Sequence, residues 1–374
     1  MAHGASKLLG HKANGYTELY RIFGLFNGLL FGFLGLIVLV EILKKENFDP
    51  KTINYTLISV ALATNLYYFS TFNAYMSHNY SFMLWAAVVH LTQKFYTEGY
   101  QNRHLWFMAL ILGLIAIIRP VDILLILVPL FYGIKKWADL TARFQLMWQK
   151  RVPLFGAFML GIVPVLPQLL YWHHISGAWI IDSYTNQTFD FRKLRIVAGW
   201  FSFSNGWLIY TPIMFFALVG LFMSFKKSAF ALPILLFLPL FGYVIHAWWC
   251  WNYINGFGMR PMVNTYALLA IPLSIFIAKM LRSGFLQVVS TVVLVFFIWL
   301  NIFQTWQSVE GIMISETANS AYWRAIFGKK QLDYNALVAF DSNEIQPANL
   351  PKNVKLLREI ILRIQLPKNM SEHP

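Results

Sequence analysis

Five stretches of this chain, Ile22 to Leu43, Val152 to Tyr171, Gly206 to Phe225, Phe230 to Trp249 and Phe285 to Ile302, carry almost no charge. Each is close to the roughly 17–25 residues that a helix needs to cross a hydrocarbon core. A soluble domain has about a quarter of its residues charged. Here 12% are charged and 58% hydrophobic, and the shortage of charge falls in those stretches. No run shows the period-two alternation of an outer-membrane strand. The sequence therefore predicts an all-α polytopic transmembrane helix bundle.

Ten segments are expected, at 22–43, 53–71, 79–96, 105–118, 121–134, 152–172, 206–225, 229–249, 263–281 and 285–305. The fourth and fifth are short and flank Arg119-Pro120. Proline cannot continue a helix's hydrogen-bond ladder, so they read as two short helices or as one broken helix. Charge decides between these. With a turn at Arg119-Pro120, one set of loops holds fourteen basic residues: Lys44, Lys45, Lys51, Lys94, Arg103, Lys135, Lys136, Arg143, Lys150, Arg151, Lys226, Lys227, Lys279 and Arg282. The opposite loops hold five: Arg119, Arg192, Lys193, Arg195 and Arg260. A single crossing would put the basic loop 135–151 on the wrong side. The positive-inside rule favours the turn and makes the larger set cytoplasmic.

The net charge of +14 thus reports topology first, and no nucleic-acid partner is expected. The single cysteine, Cys250, excludes an intrachain disulfide. Met1 to Tyr20 lacks the apolar region of a cleavable signal peptide. Ten segments place both the N-terminus and the chain from about 306 outside. An outside N-terminus normally follows an upstream helix, so a membrane segment is expected before Met1. Residues 1–306 read as a membrane domain and 307–374 as a polar extracytoplasmic tail, with helical apolar spacing at 353–365.

The unusual residues fall in the outward loops. Arg119 and Arg260 both sit at helix ends directly before a proline, near membrane depth, where a guanidinium is costly unless paired or facing water. The planar fork of arginine suits phosphate, although Arg119 can equally pair with Asp122. Gly256 and Gly258 before Arg260 let backbone approach a ligand. His78 and His246 lie on this face as donors or acid–base groups, or as structural histidines. Trp248, Trp249, Trp251 and Tyr253 read as an interfacial aromatic belt or as a wall for a sugar or lipid head, with Asn255 beside them. The outward acids before the tail are Glu18, Asp122, Asp182 and Asp190, with no close pair. No His/Asp/Glu cluster has metal spacing and no nucleotide or nucleophile motif is present, so no cofactor is assigned and a metal requirement stays open.

The order of these motifs resembles a known family. Ser77-His78-Asn79-Tyr80-Ser81, then Arg119-Pro120, then Phe201-Ser202-Phe203-Ser204-Asn205-Gly206-Trp207 with Tyr210-Thr211-Pro212, then Trp248-Trp249-x-Trp251 leading to Gly256-Phe257-Gly258-Met259-Arg260-Pro261, are similar to bacterial membrane glycosyltransferases of the GT-C fold. The nearest flavour is that of dolichyl-phosphate-mannose protein mannosyltransferases and the lipid A aminoarabinose transferase. The resemblance runs from about Gly10 to about Trp306. It implies a polyprenyl-phosphate-linked sugar donor, a lipid, glycan or protein acceptor, and a bilayer location with the site on the extracytoplasmic side of a bacterial inner membrane. It also implies a donor-phosphate site at Arg260, Arg119 and His78, with sugar or lipid contacts from Trp248, Trp249, Trp251, Tyr253, Asn255 and His246. The family's catalytic Asp follows its first membrane helix, and this chain has none in Met1 to Arg21. Two further readings stay open: a transporter or flippase, and a non-catalytic membrane subunit handling lipid-linked sugars.

Overall fold

A computed structural model describes residues 2–340, except 183, 185, 186, 226, 227, 333–335, 337 and 338. The helix expected at 353–365 and the loop lysines Lys226 and Lys227 lie outside the described residues. Within them the chain is all-helical, and strand pairing is limited to one isolated bridge between Phe189 and Trp248. The helices that position the site are α1 (Glu18–Lys45), α2 (Pro50–Leu62), α3 (His78–Thr97), α4 (Asn102–Ile118), α5 (Leu127–Phe131) and α6 (Trp137–Gln149). They continue as α7 (Arg151–Ser176), α8 (Met214–Ser224), α9 (Ala231–Ala247), α10 (Tyr266–Met280), α11 (Gly284–Val309) and α12 (Ser320–Ile326). Two 3₁₀ turns, Pro120–Ile126 and Arg260–Thr265, lead into α5 and α10.

Local chemistry sets these boundaries. Asp49 caps α2 by accepting from the Lys51 and Thr52 amides at 3.0 Å, with Pro50 at the first helical position, where its missing N–H costs nothing. Pro120 follows the end of α4 and opens a 3₁₀ turn, and Pro261 is the second residue of another, entered from a loop. Small residues set the closest helix approaches: a Cβ on Gly220 of α8 would stand 1.9 Å from the Pro272 carbonyl of α10.

The contacts fix helix directions. α1 and α3 end side by side, where Lys45 Nζ meets Glu98 at 2.6 Å and Gln93 Nε2 donates to Glu46 at 2.7 Å. Lys51 at the start of α2 reaches Gln287 near the start of α11, and Asn301 further along α11 donates to the Leu62 and Thr64 carbonyls at the end of α2. The chain reverses at Arg119. Arg119 touches His78 at the start of α3, whereas Tyr132 stacks on Tyr96 near its end. Residues 119–132 therefore run back along α3, as the charge count required.

Four helices are long and apolar enough to cross a membrane: Glu18–Lys45, Arg151–Ser176, Arg260–Met280 and Gly284–Val309. Their roles differ. Of the most apolar 18 residues of each, 83% are buried inside the protein in Arg260–Met280 and 6% in Arg151–Ser176, which turns Val152, Phe155 and Phe158 outward. An apolar surface of that extent suits lipid and not water. α3, though 20 residues long, is the polar spine of the bundle, with His78, Asn79, Ser81, Thr92 and Gln93 enclosed. Four shorter apolar helices, Asn102–Ile118, Pro120–Phe131, Met214–Ser224 and Ala231–Ala247, complete the set.

A second core cluster joins Tyr210 and Phe257 to Ile312, Met313, Tyr322 and Ile326. The residues after 306 thus pack onto the bundle as far as they are described.

Candidate functional site

The two Arg-Pro pairs build matching structures that face each other. Arg119 is the extended residue before the Pro120–Ile126 turn, and Arg260 is the first residue of the Arg260–Thr265 turn, with Pro261 after it. Asp122 in the first turn and Asn264 in the second tie them together: Asn264 Nδ2 donates to Asp122 Oδ2 at 2.6 Å. The Asp122 side chain is fully enclosed and stands 3.9 Å from Arg119 Nε. Both alternatives weighed for Arg119 therefore meet in one place, with its guanidinium near Asp122 and against His78.

His78 Nδ1 lies 3.0 Å from Arg119 Nη1. A guanidinium only donates, so Nδ1 accepts and the imidazole proton sits on Nε2. Asn264 Oδ1, 3.4 Å from the same nitrogen, is then a contact rather than a hydrogen bond. The Phe69 ring packs edge-on to the imidazole at 5.4 Å. This arrangement leaves Nε2–H as a donor for a ligand.

Arg260 approaches the same point from the other turn, close enough to Arg119 for the two charges to act on each other and on His78. Its Nη1 donates to the Ile254 carbonyl at 2.8 Å, and the guanidinium lies over the Tyr253 ring at 5.5 Å. Among the described residues no carboxylate lies within ion-pair distance of it. Burial pushes the Tyr253 phenol up to about 12, with Arg119 and Arg260 pulling it the other way. The ring is therefore neutral near pH 7 and does not cancel either arginine. Two guanidiniums face one carboxylate here, which is an electrostatic setting for an anion.

The loop before Arg260 is held in an unusual shape. Tyr253, Asn255 and Gly258 all have positive φ, at 50°, 65° and 67°. Non-glycine residues rarely hold this conformation unless their surroundings impose it. Asn205, itself at φ 55°, donates to the Asn252 and Tyr253 carbonyls and accepts from the Gly258 amide at 3.1 Å. Glu316 accepts from the Asn255 amide, Asn252 Nδ2 donates to the Glu316 carbonyl at 2.9 Å, and Ser315 Oγ donates to the Gly256 carbonyl at 3.1 Å. Below the loop, Asn65 Nδ2 donates to the Phe257 carbonyl, and Asn65 Oδ1 accepts from Tyr266 at 2.6 Å.

The other expected residues lie around this centre. Tyr253 is in it, its hydroxyl donating to the Ile245 carbonyl at 2.9 Å. Asn255 is exposed at the loop's outer edge. Trp248 packs on Phe189 and Tyr184 of the long loop, and the Trp249 amide donates to the Thr188 carbonyl, so this pair anchors the 173–206 loop. His246 is fully buried; its Nδ1 lies 3.3 Å from the Trp251 carbonyl, and its ring fills the space where a Cβ on Gly199 would stand. The structure thus brings His78, Arg119, Arg260 and Tyr253 together and leaves His246, Trp248 and Trp249 as framework around them.

Sequence reasoning missed Asn264, Glu316 and the bracing role of Asn205. Asn264 had a faint signal, because Arg119-Pro-x-Asp and Arg260-Pro-x-x-Asn are near copies. Among the described residues no three His, Cys, Asp or Glu side chains converge as metal ligands. No family model, curated protein or solved structure matches this chain.

Proposed function

We propose that this chain is a multi-pass membrane protein of about ten segments with a GT-C-like arrangement. In this reading it handles a polyprenyl-phosphate-linked sugar on the extracytoplasmic side of the membrane and transfers the sugar to a lipid, glycan or protein. One observation carries the reading: Arg119 touches His78, and Arg260, 141 residues on, lies near enough for its charge to act on both, with Asp122 as the nearby carboxylate. A phosphate ester supplies the missing negative charge, takes hydrogen bonds from both guanidiniums and from His78 Nε2–H, and leaves its isoprenoid chain toward lipid. In an inverting displacement, the acceptor hydroxyl attacks the sugar carbon as the bond to the donor phosphate breaks. The arginines then stabilise the charge growing on the departing phosphate. The alternating helix directions support the segment count, and the basic loops at the opposite end support the sidedness.

Asp122 does not serve as the base that activates the acceptor. It is enclosed, accepts from Asn264 and stands by Arg119, so it acts as the counter-charge of Arg119 instead. The base is unassigned, and this favours a second reading in which the chain binds the lipid-linked sugar as an accessory or translocating subunit.

The test is sugar transfer from a polyprenyl-phosphate donor by the purified protein, compared with Arg260→Ala. Transfer lost in the variant, with membrane insertion intact, is the expected result. Undiminished turnover in the variant refutes the phosphate role. Arg260-dependent binding of polyprenyl phosphate without turnover in the native protein selects the second reading.

A further inference from the structure

The opposite end of the bundle carries a second feature that the proposed chemistry does not use. A cavity of about 230 Å³ opens between α3, α4, α6 and α7. Its wall is almost wholly apolar, formed by Phe95, Leu105, Met108, Leu112, Leu154 and Phe158 among others. The charged groups on it are Arg143 and Lys150. It lies at the Tyr96 end of α3, about 27 Å from His78 at 1.5 Å per residue, so it is separate from the arginine site.

Arg143 ties together three of the elements around the cavity. It donates to Tyr96, to the Pro129 and Leu130 carbonyls at 2.8 and 2.9 Å, and to the Tyr132 carbonyl at 2.6 Å, and it covers the Tyr96 ring at 4.0 Å. It thereby satisfies the carbonyls at the end of α5 and pins α6 across the opening. α6 has three faces. Leu140, Arg143, Leu146, Met147 and Lys150 are half-buried toward the bundle. Trp137, Phe144 and Trp148 are 78%, 63% and 72% exposed and align within about 40° of one another at 3.6 residues per turn. The remaining face is polar. This is the pattern of a helix lying in a membrane interface.

The charge at the opening is one-sided. Lys150, on the cavity wall, donates to Asn102 at 3.1 Å; Arg151, next in sequence and outside that wall, donates to the Trp148 carbonyl at 3.1 Å and lies over the outward Trp148 ring at 5.1 Å. Neither has a carboxylate within ion-pair distance among the described residues. The acid of α6, Asp139, is held by the Lys135 and Lys136 amides at the helix start.

We infer that this cavity is a binding site for an anionic phospholipid, with an acyl chain between α4, α6 and α7 and the headgroup phosphate at Lys150 and Arg151. An apolar cavity beside an interfacial helix takes an acyl chain, and an unopposed cation on its wall, with a second next to it in sequence, selects a negative headgroup. The inference rests on the chain being membrane-embedded and is independent of sugar transfer.

The full-length protein, reconstituted in nanodiscs holding equal dioleoyl phosphatidylglycerol and dioleoyl phosphatidylcholine, is released into the gas phase and its retained lipid counted by native mass spectrometry. Phosphatidylglycerol is retained at least ten-fold over phosphatidylcholine. Lys150→Gln with Arg151→Gln, both outside the helix core, lowers that retention about thirty-fold at unchanged helical circular dichroism. Soluble glycerol phosphate, which has the headgroup charge and no chain, is not retained. Equal retention of the two lipids, retention unaffected by the double substitution, or retention of glycerol phosphate each overturns the assignment.

Discussion

Replacing Asp122 with asparagine asks whether this carboxylate holds the arginine cluster together in the absence of a ligand. Asparagine keeps the shape and still accepts from Asn264, whose Nδ2 is 2.6 Å away, so only the charge is removed. A hydrogen bond to a charged group contributes about 1.5–3 kcal/mol and a neutral one about 0.5–1.5, a difference of roughly 1 kcal/mol. The attraction to Arg119 Nε across 3.9 Å is roughly 4 kcal/mol at an effective dielectric constant of 20. Much of that is offset because asparagine needs no ionic desolvation. The expected net destabilisation of the unliganded protein is about 2 kcal/mol. The same change leaves two guanidiniums unopposed, so a short-chain polyprenyl phosphate is expected to bind about ten-fold more tightly, equivalent to 1.4 kcal/mol. Thermal unfolding in detergent, followed over a titration with that phosphate, reads both effects. Weaker phosphate binding in Asp122→Asn, matching the loss in an Arg119→Ala control, refutes the counter-charge role of Asp122.

Other perturbations probe the frame around the cluster. Glu316→Ala removes the acceptor for the Asn255 amide, and hydrogen exchange at Asn255 and Gly256 should accelerate about ten-fold, or 1.4 kcal/mol; unchanged exchange would show that the strap is not holding the loop. Gly220→Val drives a side chain into the Pro272 carbonyl and should cost about 3 kcal/mol, measured as a fall in the folded fraction after solubilisation. An undiminished folded fraction would mean that α8 and α10 do not meet as closely as described.

Much of the architecture was written in local pattern and charge. The reversal at Arg119-Pro120 followed from proline chemistry plus the basic loop 135–151, and Tyr132 beside Tyr96 shows the chain returning as that reasoning required. Segment lengths were less legible. Stretches read as single spans, such as 206–225, are divided into Trp207–Tyr210 and Met214–Ser224, because Pro212 interrupts the ladder where neighbouring helices provide cover. The two arginines were conspicuous because membrane-depth charge is costly. Their convergence was not, since the Asn264–Asp122 bond joins residues 142 apart and no local period encodes such a contact. His246, open in sequence to either an acid–base or a structural reading, is buried where the missing side chain of Gly199 makes room for it, a contact that no local pattern encodes.

The strap from Ser315 and Glu316 has a consequence for how the protein is made. The Arg260 loop leaves the ribosome 59 to 61 residues before Ser315 and Glu316, and α11 lies between them. A nascent chain therefore carries both arginines into the membrane with the loop held by Asn65 and Asn205 but without its Ser315 and Glu316 bonds. The arginine cluster reaches its final shape only after α11 has been inserted and the following segment has folded back, so the site matures later than the helices that carry its arginines.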